Sequence, residues 1–354
     1  MDSSTQTALL VLNWNNARDT LQCLQSLEPL QDAETRIIAI DNGSTDDSAR
    51  VIADAYTRQS RPHIELLETH QNLGYAGGNN FGIRRALEQG AQYIGIVNND
   101  VQVAPGFLAP LMNALSDPQV GVVTPLVAYM SEPDKVWALG QAVDWKTGNV
   151  TRVHAQETVQ SVQQLAPSQV DAASGTAMLF KREVLERVGL LDDSFYLYYE
   201  ETDWCLRVRQ AGYTVLAVPA SVVRHAVSST LGAASPVIDY YMLRNHLRFI
   251  ARHWTGLARL RIMAATVLEG LRVIAAYTAK PWGGQRRPHR NARLLALRDA
   301  ALGRWGKMGP DVAAVCAAEY SREAAEYSRE AREYSAAEYS REAREYSAAD
   351  KRGT

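Results

Sequence analysis

Apolar runs of strand length alternate with amphipathic runs of helix length through the first hundred residues. Residues 8–12 read as a buried strand and 17–27 as a helix. Residues 36–40 read as a second strand and 46–56 as a second helix, opened by the cap candidates Ser44 and Thr45. Residues 64–68 predict a third strand, 72–80 a glycine-rich loop and 80–89 a third helix. The next run, residues 93–103, reads as a buried strand whose apolar character stops at Asn98-Asn99-Asp100. Strands alternating with helices predict right-handed βαβ units and a parallel sheet, with these three polar residues at the carboxyl edge where open α/β sheets bind ligands.

Beyond residue 120 the pattern shortens. Residues 120–170 read as short strands with turn signals such as Lys146-Thr147-Gly148-Asn149, a hairpin-bearing insertion. Helices dominate after Asp239, with apolar positions at Leu257, Leu260, Ile262, Met263, Val267, Leu268, Leu271 and Ile274. Residues 262–279 are the longest apolar candidate, but Glu269 and Arg272 interrupt them, which argues against a membrane span. The last 38 residues repeat two short units of seven and five residues, so no continuous coiled-coil seam results; a lone polar helix or disorder is expected, with no chemistry.

Composition narrows the class. The 354 residues can bury a large core, and 46% hydrophobic with 21% charged residues is ordinary for a soluble protein. Cys23, Cys205 and Cys316 lie far apart, which excludes a disulfide framework or structural zinc site and makes a reducing, cytoplasmic setting the default. Residues 1–7 lack the basic and apolar regions of a secretion signal. The formal charge of −2 hides an asymmetry: residues 240–310 hold fourteen Lys or Arg against Glu269 and Asp299, a local +12. A basic amphipathic region suits an anionic membrane surface, or a solvated face packed on the main domain; a nucleic-acid role has no motif behind it.

Several polar groups fall where chemistry can happen. One carboxylate at a strand end, Asp100, suits a hard divalent cation that completes its shell with water and phosphate, or simply an Asx turn. Asp41, opening Asp41-Asn42-Gly43-Ser44-Thr45-Asp46, can accept the imide N–H of a pyrimidine or start a capped helix. Trp14 can stack on a base or fill a core. Glycines at 74, 77 and 78 do not form the dinucleotide fingerprint, which argues against a dehydrogenase. They allow close backbone approach to a ribose or diphosphate. Glu200, Glu201 and Asp203 set three acids beside aromatic bulk, a source of a general base with a raised pKa or a complement to a helix dipole. His225 follows twenty-four residues after Glu201.

Taken in order, Asn13-Trp14-Asn15, residues 41–46, residues 72–80, Asn98-Asn99-Asp100-Val101, Ser174-Gly175-Thr176-Ala177-Met178, Val188-Gly189, the acidic cluster and His225 resemble inverting glycosyltransferase family 2, specifically its bacterial rhamnosyltransferase-like branch. The resemblance covers residues 8–230 and continues weakly to residue 310. It implies an α/β GT-A fold, a Rossmann-like, mostly parallel sheet flanked by helices, over residues 1–235. The nucleotide half would be residues 1–103 and the acceptor half 104–235, followed by basic helices at 236–310 and a tail at 311–354.

The same resemblance implies a nucleotide-diphosphate sugar donor, with Asp100 and His225 holding Mg²⁺ or Mn²⁺ on the diphosphate. It places Asn13, Trp14, Asp41, Asn72, Gly74, Gly78, Asn79, Asn98 and Asn99 on the donor, with Trp14 stacking on the base and Asp41 reading it. Glu201 is the implied base, with Asp203 as the alternative, and Gly175, Glu200 and Asp203 meet a glycan or lipid-linked acceptor. It leans toward dTDP-L-rhamnose, with UDP-sugars and GDP-sugars behind. Ala301-Leu302-Gly303-Arg304-Trp305 lacks the glutamine of the processive motif Gln-x-x-Arg-Trp, which implies addition of one sugar or few. The competing readings are a nucleotidyltransferase, for which residues 13–16 supply no Lys, and a non-catalytic binding module.

Overall fold

The computed structural model describes residues 6–30, 34–57, 64–227, 235–279 and 287–317. The repetitive tail therefore lies outside the described residues. The nucleotide half is built from β1 (Thr7–Asn13), α1 (Ala17–Leu27), β2 (Thr35–Asp41), α2 (Ser48–Ile52), β3 (Ile64–Glu68), α3 (Gly74–Glu88), β4 (Tyr93–Asn98) and β5 (Val101–Val103). There follow α4 (Leu108–Leu115), β6 (Val120–Tyr129), β7 (Val136–Ala138), β8 (Gln141–Val143), β9 (Val150–Arg152), α5 (Val159–Gln163), β10 (Ser168–Gln169), β11 (Ala177–Lys181), α6 (Arg182–Val188), α7 (Glu200–Gln210) and β12 (Thr214–His225). Three long helices close the described chain, α8 (Pro236–His253), α9 (Gly256–Ala279) and α10 (Arg287–Ala301), before a last helical segment at 310–317.

The main sheet runs β10-β12-β6-β11-β4-β1-β2-β3. β4, β1, β2 and β3 are mutually parallel, as the alternating pattern requires, and β12 is parallel to β6. β11 is antiparallel to both β4 and β6, which makes the sheet mixed. Side chains alternate across it: Ala8 and Leu10 pack with Ile83 of α3, whereas Leu9 and Val11 pack with Leu24 of α1. Sequence and structure agree on β1 to β3, α1 and the β8–β9 hairpin with its turn from Asp144 to Asn149.

Three expectations change. The second helix is shorter than read, giving way after Ile52 to a π-helical stretch at Ala53–Thr57. The run at 93–103 is two strands: β4 ends at Asn98, and β5 turns away to pair antiparallel with β12, so that Val101 lies opposite His225. The glycine-rich segment is a helix rather than a loop, since α3 starts at Gly74. Its glycines serve helix-on-sheet packing. A Cβ at Gly78 would lie 2.6 Å from Leu12 Cδ1, and one at Gly82 only 2.4 Å from Ile40 Cδ1.

The +12 of residues 240–310 is a count along the chain, and only part of it reaches the surface uncompensated. Arg244 is fully buried, its guanidinium 4.9 Å from the ring centres of both Tyr240 and Tyr241. Arg248 and Arg252 pair with Asp192, Arg252 also with Asp203, Arg293 with Asp239, and Arg298 with Asp299 and Asp311. Asp192, Asp203, Asp239 and Asp311 lie outside the counted segment and offset part of it through space, while Arg259, Arg261, Arg287 and Lys307 stay exposed. α9 is long and apolar enough to cross a membrane by length and composition, and the charges that interrupt it, Glu269 and Arg272, are exposed and 3.7 Å apart.

Candidate active site

A cavity of about 740 Å³ opens at the carboxyl edge of the parallel strands, between the nucleotide half, the start of α7 and the C-terminal helices. Trp14, Asn72, Gly74, Asn98, Asn99, Asp100, Gly175, Glu200, Glu201 and His225 all line it. An apolar stretch of the wall runs from Val237, Tyr241 and Met242 of α8 to Met308 and Cys316.

Two strand ends create the pair deepest in chemistry. Asp100 sits in the turn between β4 and β5, and His225 closes β12, so the β5–β12 pairing brings His225 Nε2 to 3.2 Å from Asp100 Oδ1. His225 Nδ1 is buried with no hydrogen-bond partner, and the ring meets Trp137 edge-on at 5.0 Å between centroids. Among the described residues no group of three or more His, Cys, Asp or Glu side chains is placed to hold a metal. One carboxylate oxygen and one imidazole nitrogen on a cavity wall nevertheless fit a divalent cation that draws its remaining ligands from water and phosphate.

The acidic cluster separates into two functions. Tyr196, Tyr198 and Tyr199 hold positive φ angles of 66°, 66° and 75°, a costly backbone for bulky residues that persists only when surroundings enforce it. Here α8 enforces it: the buried Asn245 amide donates to the carbonyls of Phe195, Leu197 and Tyr198 at 2.9, 2.7 and 3.0 Å. Tyr75 N–H adds a 2.7 Å bond to Tyr196 O. The kinked loop ends at the first turn of α7, where exposed backbone N–H groups favour negative charge.

Glu200 and Glu201 both face the cavity from that turn. Burial, then the neighbouring Glu201, pushes the Glu200 carboxyl well above the usual range, and its Oε2 has no partner. Burial also raises Glu201, but less freely, because Gln141 Nε2 donates to its Oε1 at 3.0 Å and backbone N–H groups oppose the rise. Gln141 Oε1 in turn accepts from Thr202 Oγ1 at 2.8 Å. Gly175 leaves room for this carboxyl, since a Cβ there would sit 3.3 Å from Glu201 Cδ.

Asp203, the third acid, points elsewhere and does not line the cavity. It is fully buried among Arg207 Nε at 3.0 Å, Arg252 Nη1 at 2.9 Å and His253 Nε2 at 2.9 Å, tying α7 to α8. Against burial, which raises it, the His253 hydrogen bond and the two guanidiniums hold its carboxyl below the usual range. An acceptor contact by Asp203 is thus replaced by a structural clamp.

The donor candidates divide in the same way. Asn13 and Asp41 lie behind the wall: Asn13 Nδ2 donates to Asp41 Oδ1 at 2.8 Å, and Ser44 supplies its hydroxyl to Oδ1 and its N–H to Oδ2. Asn79 is buried within α3, its Nδ2 bonded to Tyr75 O, and Gly78 packs on Leu12 and Asn42. Asn79 and Gly78 therefore shape α3 rather than meet a ligand directly. Sequence reasoning passed over Gln141, Tyr75 and Asn245. Only spatial proximity reveals Gln141 and Asn245, which come to the acidic cluster from sixty and forty-four residues away.

The sequence model of glycosyl transferase family 2 matches residues 9–189. The chain is 24% identical over 280 residues to a dTDP-rhamnosyl transferase of Shigella flexneri, covering 77% of this chain and 89% of that one. It is 29% identical over 231 residues to the N-acetylglucosaminyl-diphospho-decaprenol L-rhamnosyltransferase of Mycobacterium tuberculosis, covering 58% of this chain and 72% of that one. Among solved structures, GalNAc-T7 with UDP, GalNAc and Mn²⁺ superposes with a TM-score of 0.59 at 16% identity; the match covers 84% of this chain and only 55% of that one. A mannosyltransferase from Pyrobaculum calidifontis in complex with GDP-Man and Mn²⁺ gives 0.50 at 18% identity, covering 90% and 81%. These two likenesses carry the GT-A-like fold.

Proposed function

The chain belongs to glycosyl transferase family 2 and is a glycosyltransferase, and from that premise we propose an inverting enzyme that moves L-rhamnose from dTDP-rhamnose to a hydroxyl of a lipid-linked glycan. The observation that carries the reaction is Glu201: a carboxylate with a raised pKa at a helix N-terminus, oriented by Gln141 and facing a cavity that also holds Asp100 and His225. Such a group is a general base poised for an alcohol proton.

In this reading the pyrimidine base stacks on Trp14, and Asp41, behind the wall, fixes the Asn13 and Ser44 turn that borders the base. Asn72, Gly74, Asn98 and Asn99 line the ribose and diphosphate path. Asp100 and His225 would hold a divalent cation, which would neutralise charge on the departing diphosphate. Glu201 removes the acceptor proton as the hydroxyl oxygen forms its bond to the anomeric carbon. The bond from that carbon to the diphosphate breaks on the opposite face, so configuration inverts. Glu200, keeping its proton beside Glu201, faces the acceptor together with Gly175. A lipid-linked acceptor places the enzyme at the cytoplasmic face of an anionic membrane, met through the region 240–310.

The test is product formation with dTDP-rhamnose, UDP-sugars and GDP-sugars on N-acetylglucosaminyl-diphospho-lipid acceptors, followed by mass. Rhamnose transfer lost in Glu201→Gln supports the proposal. Preferred turnover of a UDP- or GDP-sugar would reassign the donor, and binding of all donors without turnover would make the fold a binding module.

A further inference from the structure

With Arg244, Arg248, Arg252, Arg293 and Arg298 engaged by the fold, the C-terminal region offers less free charge than its sequence suggests, and it exposes apolar surface. α9 spans 24 residues, and only 11% of its most apolar stretch is buried. Its inner face packs through Ile262, Gly270 and Ile274; a Cβ at Gly270 would meet Leu243 Cδ2 of α8 at 3.3 Å. Its outer face carries Leu257, Leu260, Leu268 and Leu271, exposed by 82, 62, 49 and 46%. Exposed Ala264 and Ala275 complete the row. Spacings of three and four residues put these side chains on one stripe, roughly 27 Å long at 1.5 Å per residue. Arg259 and Arg261 are exposed beside its first turns.

We propose that α9 lies flat in the interface of an anionic bilayer, with the leucine stripe among the acyl chains and Arg259 and Arg261 at the headgroup phosphates. Packing of the inner face on α8 holds the helix alongside the fold, which suits lying in the surface rather than crossing it. A second copy laid on the stripe would bring arginines toward arginines, and Glu269 is already beside Arg272; phosphate headgroups complement the same charges. The driving force differs from a basic patch: it is burial of leucine surface, with charge as the secondary contribution.

This deepens the lipid-linked acceptor reading and rests on it for its purpose, but docking is measured without donor or acceptor, so the two can fail separately. The full chain is floated with vesicles of phosphatidylcholine alone and of phosphatidylcholine mixed equally with phosphatidylglycerol. Recovery with the anionic vesicles, retained substantially in high salt, is expected. Leu260→Ser/Leu268→Ser/Leu271→Ser should lower partitioning about tenfold or more, with helix content and transfer to a water-soluble acceptor unchanged. Arg259→Gln/Arg261→Gln should lower binding to anionic vesicles by less. Flotation of the triple leucine variant equal to the parent, absence of parent flotation, or a parent dimer that this variant converts to monomer would each overturn the proposal.

Discussion

Gln141 Nε2 donates a 3.0 Å hydrogen bond to Glu201 Oε1, from a hairpin strand that meets α7 only in the folded state. The bond fixes one oxygen of the carboxylate; in the proposed mechanism the other takes the acceptor proton. It also stabilises the charged form against the rise caused by burial. Transfer should therefore increase with pH as Glu201 loses its proton, at a pH above the usual glutamate value. Gln141→Leu removes the donor and should move that limb further upward while kcat falls about tenfold to a hundredfold. A pH–rate profile of both proteins checks this; an unmoved limb would show that Gln141 does not act on Glu201.

Glu200 should be a stability cost carried for function. Its folded pKa is raised by burial and by Glu201, so the folded state binds its proton more tightly than the unfolded chain does. Stability from this group is full below the ordinary glutamate pKa and is lost as pH rises through the folded value. Glu200→Gln keeps the shape without the charge and should raise the thermal midpoint at pH 8 by several degrees, with a smaller gain at pH 5. Thermal scans at the two pH values decide it.

Asp100→Ala and His225→Ala test the two-residue cation site separately from folding. Each should reduce turnover by about a hundredfold or more, because charge on the leaving diphosphate is then less well neutralised. EDTA should abolish parent activity and Mn²⁺ restore it. The thermal shift produced by dTDP in the parent should depend on Mn²⁺, and that dependence should vanish in Asp100→Ala.

Much of this site is legible in the sequence because strand ends announce themselves: an apolar run that stops at Asp100, or aromatic bulk followed by Glu200 and Glu201, marks an edge without any knowledge of packing. What stays hidden depends on long-range pairing. α3 begins six residues before the expected Asn80 because Gly78 and Gly82 are there to let a helix approach Leu12 and Ile40, a reason invisible until the sheet exists. The basic count at 240–310 overstates the free charge for the same cause, since Asp192 and Asp203 come from another part of the chain. Asp203 stands two residues from Glu201 in sequence, yet helical geometry rotates it onto α8.

Asn245 should matter to catalysis without touching substrate. Its amide supports three carbonyls of a loop held at positive φ, and its loss leaves buried acceptors unpaired, a cost of about 1–3 kcal/mol. Asn245→Ala should lower stability by that order and let the loop before α7 relax, displacing Glu201. The expected signature is a fall in kcat larger than any change in donor KM, because Trp14 and Asn98 sit on elements that Asn245 does not contact.

The Asp203 clamp sets the acid limit of the fold. Arg252 joins Asp203 to Asp192, whose carboxyl is lowered to about 2, with burial opposing and Ser194 and Arg248 favouring the charge. Both carboxyls have folded pKa values below their unfolded ones, so their stabilisation is present above the ordinary aspartate range and is lost as pH falls through the folded values. Removing one partner leaves buried charge uncompensated, so Asp203→Asn should destabilise the neutral-pH protein by about 3–5 kcal/mol. It should also flatten the dependence of stability on pH between about 4 and 2, because one of the two linked protons no longer titrates. Urea unfolding across that range measures both effects. An unchanged slope with intact activity would mean that Arg252 and His253 hold α8 to α7 without Asp203.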